Sequence, residues 1–492
     1  MESAHIAVDL GAGSGRVFVG RFPADGRFLI DEVHRFRYPP RESDGHLRWD
    51  FRAIISEIKR GLALAANRAR ELEVSPATIG VDSWAVDYGL LGSDGNLIAD
   101  PVCYRDARTE GIPDRVFGIV PKSEIFERTG IQFLNFNTIY QLFADDRFAG
   151  AASFLLLPDL INYVLTGRRA AEYTNATTTQ LVDARTGDWD ADLIIRLGFD
   201  IEKFPPIVPP GSELGFLLDG IAAETGLGPI RVIAPATHDT GSAVAGTPLG
   251  RSDAYISSGT WSLVGIERES PLIDERVAGE NFTNEGGAHG TIRFLKNVMG
   301  LWIFESCRRE WKDQGINTDY ARLLDEVAAV DGYRGVIFPD DPRFLNPPSM
   351  LGAIAAQLAE TGQQMPDSAA GVAKLIFDSL AFRYASIIST IESLARNAVG
   401  SVQIVGGGGR NDYLNQATAN ASERKVAAGL IEATVTGNLA VQAIAAGRFA
   451  DLAKARACVA KSLDLKEFSP LIVPGLHAAK LKYAAIEKRF LG

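Results

Sequence analysis

Ile6, Val8 and Leu10 alternate with small or polar residues, the chain turns through Gly11-Ala12-Gly13-Ser14-Gly15, and Val17 and Val19 resume the alternation. Period-two alternation on both sides of a Gly-rich turn predicts a β-hairpin. That sets the loop apart from two other phosphate-binding patterns: a dinucleotide loop needs Gly-x-Gly-x-x-Gly opening a helix, and a Walker loop needs Gly-Lys-Ser/Thr. A glycine hairpin can still grip phosphate. Backbone N–H groups from Ala12 to Gly15 can point inward as a nest, Arg16 can add charge, and Asp9 on the incoming arm can hold Mg²⁺ through water. A plain hairpin turn is the alternative. Residues 255–265 (Tyr-Ile-Ser-Ser-Gly-Thr-Trp-Ser-Leu-Val-Gly) repeat the design. Two such hairpins, each opening a half of similar size, predict two related domains facing a central cleft, over residues 1–247 and 248–492.

The second landmark is the segment Ala234-Pro-Ala-Thr-His238-Asp239-Thr240-Gly-Ser-Ala, where an apolar run ends in a polar tip and small residues follow. This predicts a strand feeding a tightly packed helix, and strand tips are where α/β proteins place their chemistry. Asp239 between His238 and Thr240 suits a general base with hydroxyl-binding neighbours, or it is an ordinary helix cap. Earlier, Asp82-Ser83-Trp84-Ala85-Val86-Asp87 follows a predicted strand, and an aromatic flanked by acids suits a sugar as well as it suits a buried Trp among turn acids. Val402-Gln-Ile-Val405 runs into Gly406-Gly407-Gly408-Gly409 and a helix, which removes side chains where something flat or anionic approaches the backbone. Asp50 predicts the cap of a helix carrying Phe51, Ile54, Ile58 and Leu62, and a long amphipathic helix is predicted from Val372 to Leu394. Glu172-Tyr-Thr-Asn-Ala-Thr-Thr-Thr-Gln180 is expected to be an ordered loop, because its Thr and Asn side chains compete for the backbone.

A net charge of -11 argues against a nucleic-acid partner, since phosphate backbones call for a basic face. Cys103, Cys307 and Cys458 are odd in number and widely spaced, which fits neither a disulfide framework nor a zinc site and points to a reducing compartment. The first residues lack the pattern of a signal peptide, and the apolar stretch 154–165 is too short and polar to span a bilayer. A cytoplasmic protein without a membrane partner is expected.

The combination of Ala7-Val-Asp-Leu-Gly-Ala-Gly-Ser-Gly-Arg16, Asp82-Ser-Trp-Ala-Val-Asp87, Tyr104-Arg-Asp106, Phe136-Asn-Thr138, Glu172 to Gln180, His238-Asp-Thr240, Ser257-Ser-Gly-Thr-Trp-Ser262, Asn284-Glu-Gly-Gly287, Leu295-Lys-Asn297 and Val405-Gly-Gly-Gly408 resembles the FGGY group of sugar kinases over nearly the whole chain. The resemblance implies an α/β fold of two actin-like, ribonuclease-H-like ATPase domains, the first for sugar and the second for nucleotide. It also implies phosphorylation of a sugar such as L-rhamnulose at its primary 1-hydroxyl by ATP with Mg²⁺, with another ketose or deoxy sugar as the alternative. By the same resemblance Asp239 is the base. Asp82, Trp84, Ala85, Asp87, His238, Thr240 and Asn297 lie on the sugar side. Ala12, Gly13, Ser14, Gly15, Arg16, Gly259, Thr260, Glu305, Gly407 and Gly408 take the nucleotide, and Asp9 is the candidate for magnesium. The sequence departs from the group at Ala85, where relatives carry Gly, and at Glu305, where they carry Gln. Residues 421–429 also lack the usual Asp-Ala-Cys-Gly pattern.

Overall fold

The computed structural model describes residues 2–491, which form two compact units. The first unit comprises the stretch ending at Pro248 together with Glu267–Phe294 and Glu432–Leu463, and the second comprises Leu249–Ile266, Leu295–Ile431 and the chain from Asp464 onward. The units are therefore not two uninterrupted halves.

In the first unit the predicted hairpin is formed by strands Ser3–Gly11 and Ser14–Arg21, paired antiparallel with Asp9 opposite Arg16. Its sheet runs Glu213–Phe216, Arg231–Ile233, Ser75–Ser83, Ser3–Gly11, Ser14–Arg21, Leu29–Arg37. The inner neighbours Arg231–Ile233, Ser75–Ser83 and Ser3–Gly11 are parallel, and the outer pairs are antiparallel. Alternation divides the faces. Ile6, Val8, Leu10, Val17 and Val19 join the buried cluster that includes Ile54, Ile58 and Leu62 of helix Phe51–Glu71, whose first turn Asp50 caps by accepting from Ala53 N at 3.0 Å. Ala7 and Phe18 point to the other side, where Val435, Leu439 and Ala443 of helix Ala433–Ala445 cover them.

In the second unit the neighbours Trp261–Arg268, Asp253–Ser258, Ser401–Val405, Lys425–Ala428 and Lys466–Phe468 follow the same scheme: an antiparallel hairpin, then parallel strands, then an antiparallel edge. The repeated topology accords with the expectation of two related domains. The long helix spans Ala369–Ala395 and is capped by Ser368.

One stretch differs from expectation. Residues 173–179 form a helical turn, Tyr173–Ala176, continued by a tighter turn, Thr177–Thr179. The hydroxyls that were expected to break the helix bond back to its carbonyls instead: Thr177 to Thr174 O at 3.1 Å, Thr178 to Asn175 O at 2.7 Å and Thr179 to Ala176 O at 2.6 Å.

Helices Asp239–Gly246 and Ala433–Ala445 approach so closely that a Cβ at Gly437 would sit 1.7 Å from Ser242 O. No rotamer change relieves a clash of Cβ with backbone. Gly437→Ala is expected to destabilise the protein by about 3 kcal/mol or more, seen as a lower thermal unfolding temperature. Unfolding at the wild-type temperature would show that the two helices have room to part.

Candidate active site

After strand Arg231–Ile233 the chain stays extended to His238, which pairs with Ser83 as an isolated parallel bridge, and Thr237 O accepts from Ser83 N at 2.8 Å. The tips of two strands are thereby tied together. Helix Asp239–Gly246 starts at once, so Asp239 is its first residue and faces the positive end of its dipole. Its Oδ1 accepts from the Thr240 amide at 2.5 Å and the Thr240 hydroxyl at 3.1 Å, and the side chain is 31% exposed. Burial raises the Asp239 carboxyl above its ordinary range; His238 pulls it down, and the charge of Asp9 pushes it further up.

His238 is oriented by residues to which the sequence reading gave no site role. Arg293, fully buried, lies 3.0 Å from His238 Nδ1 and donates its Nε–H to Gly286 O at 2.9 Å. A guanidinium can only donate, so Nδ1 is the acceptor and the ring proton sits on Nε2, which lies 3.5 Å from Asp239 Oδ1. Behind the tip, the buried Glu172 carboxylate accepts from Thr237 N and Oγ1, both at 2.8 Å, and from the Thr174 hydroxyl at 2.5 Å. Thr174 Oγ1 in turn accepts from His238 N at 3.2 Å.

At the first hairpin, Ala12 and Ser14 are exposed, Gly13 is half-buried and Gly15 is buried. The Tyr38 hydroxyl lies 2.6 Å from Gly11 O and 2.9 Å from Ser14 O, bracing the turn through its carbonyls. Arg16 bonds Asp9 and Glu432, so its charge is already shared between two carboxylates. Asp82, beside Asp9 in the register, is fully buried; its Oδ2 accepts from Asn438 Nδ2 at 2.5 Å and its Oδ1 has no donor. Burial raises its carboxyl well above the usual range, and the nearby charges of Asp9 and Asp239 add to this.

No group of three or more His, Cys, Asp or Glu among the described residues is placed to hold a metal alone. Magnesium that keeps its waters and shares phosphate oxygens needs only one or two carboxylates, however. The crowding of Asp9, Asp82 and Asp239 fits such a cation.

In the second unit Thr260 is exposed at the tip of the hairpin turn, whose carbonyls are held by amides at the start of helix Trp302–Asp313: Leu301 N to Gly259 O at 2.9 Å and Trp302 N to Thr260 O at 3.2 Å. Asn297 is half-buried on strand Ile292–Met299. Glu305 is bonded through both oxygens to Arg308 at 2.8 Å. The glycine run divides by role. A Cβ at Gly408 would lie 2.0 Å from Ser258 Oγ, whereas Gly407 faces open space. Gly408 is a packing glycine, and Gly407 is the one that leaves backbone bare.

Comparison with known proteins gives the family. Residues 4–246 match the N-terminal domain, and residues 254–446 the C-terminal domain, of the FGGY family of carbohydrate kinases. The chain belongs to that family. It is 42% identical over 489 residues to the Rhamnulokinase of Bacteroides thetaiotaomicron, covering 98% of this chain and 99% of that protein. It is 39% identical over 470 residues to the Rhamnulokinase of Bacillus subtilis, covering 95% of each. The fold is shared with a gluconate kinase from Lactobacillus acidophilus, at a TM-score of 0.80 and 16% identity over 99% of this chain and 97% of that one. A xylulose kinase from Rhodospirillum rubrum shares it at 0.79 and 18%, over 99% and 98%. The fold is thus the two-domain actin-like, ribonuclease-H-like one of FGGY kinases.

The segment that carries Ala85 is strained. Val86 has φ 69°, rare for a β-branched residue, and Asp87 N donates to Ala85 O at 3.0 Å across the tight turn. Thr138 Oγ1 and Gln141 Nε2 hold Val86 O at 2.8 and 3.3 Å. Ala85 is half-buried, but Trp84 is only 6% exposed, its ring 4.7 Å from Trp49 and 6.0 Å from Tyr38 between centroids. Little of the Trp84 ring is open to a stacked sugar. Asp87, 1% exposed, accepts from Trp49 Nε1 at 2.7 Å and Trp84 Nε1 at 2.9 Å. These three side chains brace the strained turn of this FGGY chain from behind.

Burial pushes the Asp87 carboxyl up to about 6, against the opposing bonds from Trp84 and Trp49. A folded value above the unfolded one means that the stabilising contribution is complete below about pH 4 and is lost as pH rises through about 6. Thermal unfolding followed from pH 4 to pH 7 is therefore expected to show a fall in stability that Asp87→Asn flattens. A wild-type and variant pair with parallel profiles would remove Asp87 as the cause.

Proposed function

We propose that the chain transfers the γ-phosphoryl group of ATP to the primary 1-hydroxyl of L-rhamnulose. The carrying observation is near-full-length likeness to relatives named Rhamnulokinase in a chain that presents Asp239 at a helix start. A primary hydroxyl is a poor nucleophile, so a positioned carboxylate must take its proton as the phosphoryl group moves in line. Asp239 is the base, its free oxygen turned to the hydroxyl. His238 donates from Nε2 to the sugar, Thr240 fixes the carboxylate, and the backbone at Ala85 lines the sugar. Asp82, Trp84 and Asp87 support these groups from the core, and Asn297 adds a polar contact.

In this reading residues 1–247 serve the sugar and residues 248–492 the nucleotide. The hairpin from Ala12 to Arg16 takes phosphate oxygens through its amides, and Gly259, Thr260, Gly407 and Gly408 shape the nucleotide side, with Glu305 contributing there. Asp9 holds Mg²⁺ through water; the ion supplies positive charge to the phosphates. Arg16 must share its charge between Asp9, Glu432 and phosphate, so the hairpin amides carry much of the phosphate contact. The proposed location is the cytoplasm, in keeping with three buried, free cysteines.

A kinase of the same family acting on another ketose or deoxy sugar is the second reading, favoured by Ala85 where relatives carry Gly. ADP release measured over a panel of sugars is expected to give the highest kcat/KM with L-rhamnulose, and a higher value for another sugar would overturn the assignment. Asp239→Asn is expected to lower kcat by at least about a hundredfold while sugar binding persists by calorimetry. A near-normal rate would take Asp239 out of the base role.

A further inference from the structure

Strands Ser3–Gly11 and Ser75–Ser83 place His5 opposite Thr78, Ala7 opposite Gly80 and Asp9 opposite Asp82, all on the face covered by helix Ala433–Ala445. Asn438 and Gln442, one helical turn apart, therefore lie side by side on the helix surface. The small pair Ala7 and Gly80 leaves room for their amides: a Cβ at Gly80 would lie 2.6 Å from both Asn438 Oδ1 and Gln442 Nε2.

Two backbone carbonyls, which can only accept, set which end of each amide is nitrogen. Gln442 Nε2 donates to Ile6 O at 3.1 Å, and Asn438 Nδ2 donates to Gly80 O at 3.2 Å. Gln442 Nε2 also donates to Asn438 Oδ1 at 2.5 Å, and Gln442 Oε1 accepts from the Thr78 hydroxyl at 2.7 Å. With its proton so used, Thr78 Oγ1 must accept at 2.7 Å from His5 Nδ1, which carries the ring proton. At the other end Asn438 has only N–H to offer Asp82 Oδ2, at 2.5 Å. Every member is buried, with His5 the most open at 2%.

We propose that Asn438 is a positioning residue for phosphoryl transfer, backed by a one-way hydrogen-bond chain from His5 through Thr78 and Gln442, which holds Asp82 as an acceptor in the register position beside Asp9. Asp82 is too deep to meet a ligand; fixed beside Asp9 in the register, it sets the field that Asp9 meets from behind. Reversing the chain would set an amide oxygen against each of the Ile6 and Gly80 carbonyls, acceptor facing acceptor in the core, which is costly. It rests on the proposed roles of Asp9 and Asp239, and it predicts an effect on the transfer step, with sugar binding spared.

The test assays variants well below their unfolding temperatures, with sugar binding measured separately by calorimetry. Asn438→Ala and Thr78→Val are expected to lower kcat roughly tenfold or more, with sugar affinity within about twofold of wild type, and Thr78→Ser to restore kcat. In an Asp82→Ala background, Asn438→Ala is expected to lower kcat no further. Nitrogen NMR of the imidazoles is expected to show His5 protonated on Nδ1 in wild type and Thr78→Ser. Unchanged kcat in Asn438→Ala, additive losses in the double variant, or His5 protonated only on Nε2 would each overturn the proposal. Because Asp239→Asn probes the base on its own, a failure of the relay with an inactive Asp239→Asn leaves the kinase reading standing. Retained activity in Asp239→Asn brings down both.

Discussion

The first unit depends on how near helix Ala433–Ala445 can come to its neighbours. At Gly437 it lies against the backbone of the helix that Asp239 begins. One residue on, Asn438 bonds Asp82, and just ahead of the helix Glu432 bonds Arg16, which also bonds Asp9. Asp9 and Asp82 near the ends of neighbouring strands and Asp239 at a helix start, all of like charge, are thus set against one helix. Left to themselves they would repel, and burial would protonate them. The amide of Asn438 opposes this at Asp82 and the guanidinium of Arg16 shares the charge of Asp9, yet burial still holds the Asp82 and Asp239 carboxyls above their usual range, and the acidic groups gather where phosphate chemistry calls for a cation.

The same economy of donors runs through the rest of the site. Glu172 gathers four N–H and O–H groups around the strand tip, and Asp87 gathers two indoles behind the strained turn at Val86. A satisfied hydrogen bond adds only about 1 kcal/mol net, whereas an orphaned buried partner costs about 1–3 kcal/mol. Each network therefore acts less as glue than as a penalty on every other arrangement. That is what holds a positive φ at Val86 and a defined tautomer at His238.

Much of this was legible in the sequence. Alternation around Gly11 to Gly15 and around Ser258 to Thr260 led to both hairpins, Asp50 to its helix, and the polar tip at His238 to a strand end feeding a helix. What was not legible depends on distance along the chain. Asn438 lies 356 residues from Asp82, and Glu432 lies 416 from Arg16, so no local pattern links them. The spacing of Asn438 and Gln442, one turn apart on a small-residue, apolar helix, was the available signal. The Thr-rich stretch 173–179 misled for a different reason: hydroxyls that disfavour an isolated helix support a buried one when their bonds turn back on it. Likewise, four glycines in a row do not reveal that Gly408 is required by Ser258 while Gly407 is open.

The discontinuous make-up of the first unit has a consequence for biosynthesis. Strand Ser3–Gly11 leaves the ribosome long before the helix that covers Ala7 and answers Asp82, which begins only at Ala433. Throughout most of translation that sheet face is bare and its acidic end lacks its amide partner. A chain stopped short of Ala433 therefore leaves Asp82 without its amide partner and Ala7 and Phe18 uncovered, which is exposed apolar surface for quality control to recognise.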